Sequence, residues 1–205
     1  AARVHFNNER LKSKRLQVMR TMQLADKFAA DKIYYPMHVD FRGRGYPVPY
    51  FLQPTGASWA KSLLSFSSGS ELTDGGAMWL YINAANKFGL DKEDYHNRIK
   101  WTEDNINRIR NMGNDLRSDM FWTEADDPWA FAKACIEISN MHKQGGSFRT
   151  TLPLSIDATT QGLQIYAMLL RDAVAAAATN VLPSANPMDP YGQVSEIVRR
   201  KLYED

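Results

Sequence analysis

The stretch "TLPLSIDATTQGLQIYAMLLRDAVAAAAT", residues 151–179, joins two patterns. Its first part is short and apolar and ends at Asp157, which predicts a buried strand. Its second part is rich in alanine and leucine, which predicts a helix with Thr159 or Thr160 as N-cap. A carboxylate fixed at the end of a buried strand can bind a cation, so Asp157 is a candidate Mg²⁺ ligand. A turn or capping aspartate without a metal explains the same pattern.

Outward from this stretch, the chain is predicted to be α+β and mainly helical, with few strands. Helices are predicted over 8–31, 58–66, 75–89 and 92–113, and two more are predicted to begin at the Asp-Pro pairs 127–128 and 189–190. Thr73 or Asp74 is the predicted N-cap of the helix 75–89. The helix 92–113 is strongly polar, which predicts that it lies on the surface. A short strand is predicted within 32–40. Trp79, Tyr81, Trp101 and Trp129 are predicted to be core residues, and His5, His96 and His142 lack metal-ligand spacing.

The stretch "DFRGRGYP", residues 40–47, is a second polar site. Arginine offers a rigid fork of donors that suits phosphate, and glycine lets a backbone approach a ligand closely. Asp40 can orient Arg44 or accept a hydrogen bond from a sugar hydroxyl. A solvated turn in which Asp40 and Arg44 pair with each other is the alternative.

The composition excludes some functions. A net charge of +2 gives no global basic signature, so any nucleic-acid binding depends on local patches. Cys135 is the single cysteine, which excludes an internal disulfide and suits a reducing compartment. No apolar run approaches the ~18 residues of a membrane span, and no secretory signal opens the chain. A cytoplasmic location is expected, with mitochondria as the alternative and no membrane partner.

Taken together, these segments resemble the phage-type, single-subunit DNA-dependent RNA polymerases, the family of the T-odd phage and mitochondrial enzymes. "DFRGRGYPVP" is similar to the family's Asp-x-x-Gly-Arg motif, and "SIDATTQGLQIYAMLLRD" is similar to motif A of its palm. "GASWAKSLLSF", "NRIKWTEDNINRI", "DDPWAFAKACIEI" and "NVLPS" follow the family's order. The resemblance extends from about residue 15 to residue 203.

The resemblance implies a partial right-hand polymerase. Its expected divisions are a helix leading into the palm (1–31), the first palm part with the arginine loop (32–73), a helical palm insertion (74–147), the second palm part (148–173) and the start of the fingers (174–205). The chain lacks an initial methionine and stops within a predicted helix. We therefore expect a fragment or one chain of a split enzyme.

The resemblance also implies roles for individual residues. Asp157 and the carbonyl group of Ala158 are expected to face two catalytic Mg²⁺ ions. The residues expected to contact nucleic acid or nucleotide are Asp40, Phe41, Arg42, Gly43, Arg44, Tyr46, Lys61, Gly162, Gln164 and Arg171. Lys100 is a further candidate, although its polar helix is also explained as a solvent-exposed face without a ligand. The chain departs from motif A at Ala158, Thr159, Thr160 and Ile165, where the family usually has Gly, Ser, Cys and His.

Two family parts have no match in this sequence: the Arg-x-x-x-Lys helix of the fingers and the downstream His-Asp motif. One aspartate cannot hold two magnesium ions ~3.5–4 Å apart. The expected function is therefore part of a DNA-directed RNA polymerase, inactive alone, which acts on DNA template, RNA product and nucleoside triphosphates with a second segment or polypeptide. A non-catalytic nucleic-acid-binding or regulatory remnant and an ordinary scaffold domain are the alternatives. An apolar flank is expected to make the isolated chain poorly soluble.

Overall fold

The structure, a computed structural model, describes residues 2–73, 75–146, 148–155, 160–184 and 188–203. The chain divides into two compact units, residues 1–154 and 155–205, and each is described separately. None of the helices in these described ranges combines the length and hydrophobicity of a membrane-spanning segment. The chain is mainly helical with a few short strands, as predicted.

The first unit contains a long N-terminal helix, two small antiparallel sheets and a group of packed helices. In chain order its elements are α1 (Ala2–Lys27), β1 (Met37–Val39), β2 (Gly45–Pro47), α2 (Ser58–Lys61), β3 (Ser70–Glu71), α3 (Gly76–Phe88), α4 (Tyr95–Asp104), α5 (Ile106–Asn114), a 3-10 helix (Met120–Glu124), α6 (Pro128–Gln144) and β4 (Arg149–Thr150). Strand β1 pairs with β2, and β3 pairs with β4.

The hydrophobic core of this unit lies among α3, α5 and α6. Leu80, Ile109 and Phe131 are fully or almost fully buried there. Helices α5 and α6 approach closely at Gly113, where an added Cβ would clash with the Cys135 carbonyl group. The absence of a side chain at this position therefore permits the helix contact.

Cys135 is completely buried in this core. Burial raises the pKa of its thiol to about 12, because an apolar environment disfavours the charged thiolate. The thiol is therefore protonated at neutral pH.

An aromatic cluster centred on Phe88 supports the core. The Phe88 ring lies 4.6 Å from the Trp101 ring and 4.7 Å from the Phe121 ring, between centroids. Trp101 is thus a core residue, as predicted. The same prediction is wrong for Trp79 and Trp129, which are 51% and 54% exposed.

The predicted polar helix 92–113 is broken at Asn105 into α4 and α5. The Asn105 side chain donates to the Trp101 carbonyl at 2.8 Å, and its backbone leaves helical geometry at φ −101° and ψ 9°. Local side-chain hydrogen bonds of this kind compete with helix continuation. The surface assignment is also wrong in part, since Ile109 and Met112 are completely buried.

The predicted buried strand over 151–157 is not observed in its described part, residues 151–155. Strand β4 ends at Thr150, and Pro153 lacks the N–H that a sheet ladder needs. Residues 156 and 157 lie outside the described residues. Three further elements differ in their bounds: α1 begins and ends earlier than predicted, α2 ends at Lys61, and β1 occupies only three residues.

The Asp-Pro signal for α6 is confirmed, with Pro128 in the first turn. Asp127 does not cap the helix with its side chain; its carboxylate accepts a hydrogen bond from Ser58 Oγ and lies 3.6 Å from Lys87 Nζ.

The predicted bounds of α3 have separate outcomes at its two ends. Gly75 occupies the N-cap position rather than Thr73, Asp74 lies outside the described residues, and the predicted end of α3 at Gly89 is confirmed.

The second unit contains α7 (Gln161–Leu170), α8 (Ala173–Ala178) and α9 (Pro190–Tyr203). The predicted single helix 159–179 is broken at Arg171, which adopts a left-handed backbone with φ 53°. Asp172 then caps α8, accepting from the N–H groups of Val174 and Ala175 at 2.9 and 3.0 Å.

The two ends of this predicted helix also differ. Thr160 occupies the N-cap position of α7 in a left-handed conformation but makes no capping hydrogen bond, so its predicted capping role is wrong. Thr159 lies outside the described residues. The predicted start of α9 at Pro190 is confirmed.

Candidate nucleic-acid interface

The Arg-Gly loop forms the tip of the β1–β2 hairpin. Val39 pairs with Gly45 and His38 with Tyr46. The Gly43 N–H donates to the Asp40 carbonyl at 3.0 Å, and the Asp40 N–H donates to the Arg44 carbonyl at 2.9 Å. Gly43 has φ 79°, the left-handed conformation that this type of three-residue hairpin loop requires. The sequence therefore forms a tight, defined turn.

The Asp40 carboxylate organises this turn. It accepts from the N–H groups of Arg42 and Arg44 at 2.9 and 3.0 Å, and from the Arg42 guanidinium at 3.3 Å. The pKa of Asp40 is lowered, chiefly by the hydrogen bond from the Arg44 backbone. The alternative in which Asp40 pairs with the Arg44 side chain is not observed as a hydrogen bond: Arg42 supplies the guanidinium and Arg44 supplies its N–H, while the Arg44 charge also lowers the pKa of Asp40.

The pairing leaves one guanidinium and one ring available. Arg44 is exposed, and its side chain donates no hydrogen bond to another described residue. Phe41 is 95% exposed, with the Arg42 guanidinium 5.5 Å from its ring centroid. An exposed guanidinium suits a phosphate, and an exposed ring on the same turn suits a base. On the second strand, Tyr46 is partly buried and its ring stacks on His38 at 5.7 Å.

The remaining cationic candidates of the first unit are both exposed. Lys61 is the last residue of α2, and Lys100 lies on α4. The structure thus brings together Asp40, Arg42 and Arg44 on one turn, whereas these lysines are on other elements.

The motif A residues of the second unit are only partly described. Asp157 and Ala158 lie outside the described residues. Gln164 donates from Nε2 to the Thr179 carbonyl at 2.8 Å, a bond that ties α7 to the end of α8. Arg171 is exposed at the end of α7. Gly162 is exposed, and an added Cβ there would meet no atom within 4 Å.

The described part of the chain contains no group of three or more His, Cys, Asp and Glu side chains that could hold a metal ion. In the second unit, Asp172 caps α8 and Glu196 pairs with Arg200 at 2.9 Å.

Helix α1 is a cationic surface that the candidate residues above omit. It carries seven exposed basic side chains, Arg3, Arg10, Lys12, Lys14, Arg15, Arg20 and Lys27, against the acidic Glu9 and Asp26. Because the whole chain has a net charge of only +2, the remaining residues are net acidic. The cluster of basic residues in the N-terminal part of the sequence indicates this surface. The small net charge of the whole chain does not indicate it.

The Arg-Gly loop and helix α1 both present basic side chains, which suit the binding of polyanions. The sequence profile of the family described as DNA-dependent RNA polymerase matches residues 70–205. The chain therefore belongs to the DNA-dependent RNA polymerase family, and its relatives are of the phage type.

Three relatives illustrate this membership. The chain is 35% identical over 206 residues to T7 RNA polymerase of Escherichia phage T7, covering 100% of this chain and 23% of the relative. It is 33% identical to the mitochondrial DNA-directed RNA polymerase of Neurospora crassa, covering 98% and 14%. It is 36% identical to the mitochondrial enzyme of Schizosaccharomyces pombe, covering 90% and 16%. The chain spans less than a quarter of the length of these relatives.

Proposed function

We propose that this chain is the part of a DNA-directed RNA polymerase that holds template and RNA product and contributes one carboxylate to the catalytic centre. In this proposal it comprises most of the palm, its helical insertion and the start of the fingers. Family membership supports the reaction class. The single structural observation that carries the proposal is the hairpin in which Asp40 engages Arg42 and leaves Arg44 and Phe41 exposed.

The hairpin's chemistry suits a sugar-phosphate backbone. Asp40 fixes the loop from within through two backbone N–H groups, so the Arg44 guanidinium is presented from a rigid turn. An exposed ring such as Phe41 can stack on a base, a contact worth ~1–3 kcal/mol. Helix α1 adds a cationic surface whose attraction to phosphates does not depend on sequence.

In the proposal Asp157 is one ligand of the magnesium centre, with the Ala158 carbonyl beside it, and a second acid comes from outside these residues. The nucleoside-triphosphate-binding lysine helix would also come from outside, either from the same polypeptide or from a second one. The relatives suggest that the enzyme works in phage-infected cells or in mitochondria.

The test uses the complete polymerase, meaning these 205 residues joined in cis or in trans to the segments that carry the lysine helix and the second acid. Asp157→Asn is expected to reduce magnesium-dependent RNA synthesis to background while binding of an RNA–DNA hybrid persists. Glu196→Gln, an acid of the second unit that pairs with Arg200, is the matched control and should retain synthesis.

Two outcomes would reject the proposal. RNA synthesis that survives Asp157→Asn would remove the catalytic assignment. A wild-type assembly that binds the hybrid and makes no RNA would favour the non-catalytic, nucleic-acid-binding remnant.

A further inference from the structure

The β1–β2 hairpin carries a histidine, His38, that has no role in the proposed function. His38 pairs across the hairpin with Tyr46, and the two rings stack with their centroids 5.7 Å apart and an interplanar angle of 28°. His38 is exposed, whereas Tyr46 is partly buried. His38 is therefore the outer ring of the stacked pair, and Tyr46 is the inner ring that supports it.

The stacked pair lies on the same face of the hairpin as Arg44. Side chains alternate between the two faces of a strand, so residues two apart share a face. The pairing continues from His38 and Tyr46 to Asp40 and Arg44, because the Asp40 N–H donates to the Arg44 carbonyl at 2.9 Å. Two residues of a strand extend about 6.6 Å, which corresponds to about two nucleotide rises of about 3.4 Å each. His38 and Arg44 are thus placed to contact neighbouring nucleotides of one strand.

The imidazole of His38 has unused hydrogen-bonding capacity. Neither of its ring nitrogens is hydrogen-bonded to another residue in the described part of the chain. A neutral imidazole carries one N–H donor in either tautomer, and a protonated one carries two. The stack on Tyr46 restricts the orientation of the ring, so a ligand would meet a donor that is already oriented.

We propose that His38 is a further nucleic-acid contact, which donates a hydrogen bond from its ring to a backbone phosphate next to the one that Arg44 binds. The inference rests on the proposed function, because it extends the same hairpin site. Contacts to phosphate fix the register of a protein on a nucleic acid without reading its sequence. His38 and Arg44 together would hold two neighbouring phosphates from a single face of the hairpin.

The test measures the affinity of the complete polymerase for a labelled RNA–DNA hybrid by fluorescence anisotropy, at a temperature where thermal melts show every variant folded. His38→Ala is expected to weaken binding by about tenfold, which is the loss of one hydrogen bond to a charged group. Val39→Thr changes an exposed neighbour on the opposite face with little change of shape and should keep the affinity. His96→Ala removes an exposed histidine of α4 and should also keep the affinity.

Two further variants separate the donor from the ring. His38→Gln keeps an N–H donor and removes the ring, so it should restore part of the affinity that His38→Ala loses. His38→Phe keeps a ring that can stack and removes the donor, so it should bind as weakly as His38→Ala. The reverse order, with His38→Phe binding more tightly than His38→Gln, would show that a base stacks on this ring and would overturn the phosphate contact.

The chemistry of the acceptor is tested by replacing the RNA strand of the hybrid with DNA. Phosphate is common to both strands, so His38→Ala should weaken binding of the DNA duplex by a similar factor. A loss confined to the hybrid that contains RNA would identify a 2′-hydroxyl as the acceptor instead and would overturn the assignment to phosphate.

The supporting role of Tyr46 is tested by a double-mutant cycle. Tyr46→Leu removes the inner ring and should weaken binding through the loss of the stack. When added to His38→Ala it should weaken binding by less than about twofold further, because contacting residues that act together are not additive. Full additivity would show that Tyr46 acts without His38 and would overturn the stacked arrangement as the basis of the contact.

Failure of this inference is distinguishable from failure of the proposed function. If Arg44→Ala weakens binding and a folded His38→Ala enzyme binds normally, only the role of His38 is overturned. If Arg44→Ala also binds the hybrid normally, the hairpin is not the binding site and the proposed function itself loses its support.

Discussion

At the scale of the residue, the charge state of Asp40 decides the shape of the arginine hairpin. Its pKa is lowered because the ionised form accepts hydrogen bonds from Arg44 and Arg42. A lowered pKa means that the carboxylate stabilises the turn fully above the ordinary value of 3.8 and loses this effect as pH falls through the lower, folded-state pKa.

We therefore expect the amide proton shifts of Arg42 and Arg44 to change at acidic pH, below the ordinary aspartate range. Nuclear magnetic resonance during an acid titration measures this, within the range where circular dichroism shows the chain folded. Asp40→Asn keeps an acceptor oxygen and removes the titration, so its two amide shifts should stay constant. The same pH-dependent change in Asp40→Asn would contradict the assignment.

Gly162 offers a second test at a single residue. It lies in an exposed part of α7 with no atom within 4 Å of an added Cβ, so packing does not require glycine there. Gly162→Ala should raise the free energy of unfolding by less than about 1 kcal/mol, because glycine costs conformational entropy in a helix and Gly162 lies in the first turn of α7. If a ligand approaches this backbone, the complete polymerase should lose RNA synthesis despite being more stable. Thermal unfolding and synthesis assays measure the two effects, and normal synthesis would remove Gly162 from the site.

Residue-level prediction from the sequence found the right turn and chose the wrong partner. The glycine-rich arginine stretch indicated a polar loop that could present a cation, and the structure shows this. Asp40 pairs with the Arg42 guanidinium in a turn where Gly43 adopts a left-handed backbone. The spacing of charged residues in the sequence does not reveal this backbone geometry.

At the scale of the element, the contact between α5 and α6 depends on Gly113. An added Cβ would clash with the Cys135 carbonyl and lie 2.6 Å from the Ser139 Cβ. We expect Gly113→Ala to lower the free energy of unfolding by about 1–3 kcal/mol, as overpacking of a core does. Urea denaturation measures this. Gly146→Ala, where an added Cβ meets no atom within 4 Å, is the control, and equal effects at both positions would contradict the packing account.

The basic side chains of helix α1 lead to a prediction about how the affinity for nucleic acid depends on salt concentration. Arg10 and Lys14 lie one turn apart on its exposed surface. If each contacts one phosphate, Arg10→Ala with Lys14→Ala should reduce the slope of log K against log salt by about 2. Fluorescence anisotropy with a labelled RNA–DNA hybrid measures the slope. Lys92→Ala with Lys143→Ala removes the same charge elsewhere, and an equal reduction would show that only net charge matters.

Helix boundaries were predictable where proline or glycine determines them. The starts at Pro128 and Pro190 and the end at Gly89 are confirmed. The breaks at Asn105 and Arg171 were missed because ordinary helix-compatible residues surround them. Each break depends on a local feature, the Asn105 side-chain bond in one case and the Asp172 cap in the other, that competes with a continuous helical pattern.

At the scale of the whole molecule, the second unit exposes much of its apolar surface. Leu169, Leu170 and Val174 are 73%, 75% and 81% exposed. Large exposed apolar patches lead to association. The sequence analysis predicted an apolar flank without identifying its side chains, and the poor solubility that it expected stays a prediction.

We expect the isolated chain to self-associate in a concentration-dependent way. Replacing Leu169 and Leu170 together by serine should shift the population toward monomer, because apolar surface is removed without disturbing buried residues. Sedimentation velocity at several concentrations measures the change. A wild-type chain that stays monomeric throughout would contradict the prediction.

The protonated thiol at the centre of the helical core has a practical consequence. Maleimide dyes and spin labels react with accessible thiolates, which Cys135 does not supply. The chain's own thiol is therefore expected to contribute no background signal in site-directed labelling. A cysteine placed at the Arg-Gly hairpin would carry the only reporter, and fluorescence from that position could follow the engagement of a nucleic acid in real time.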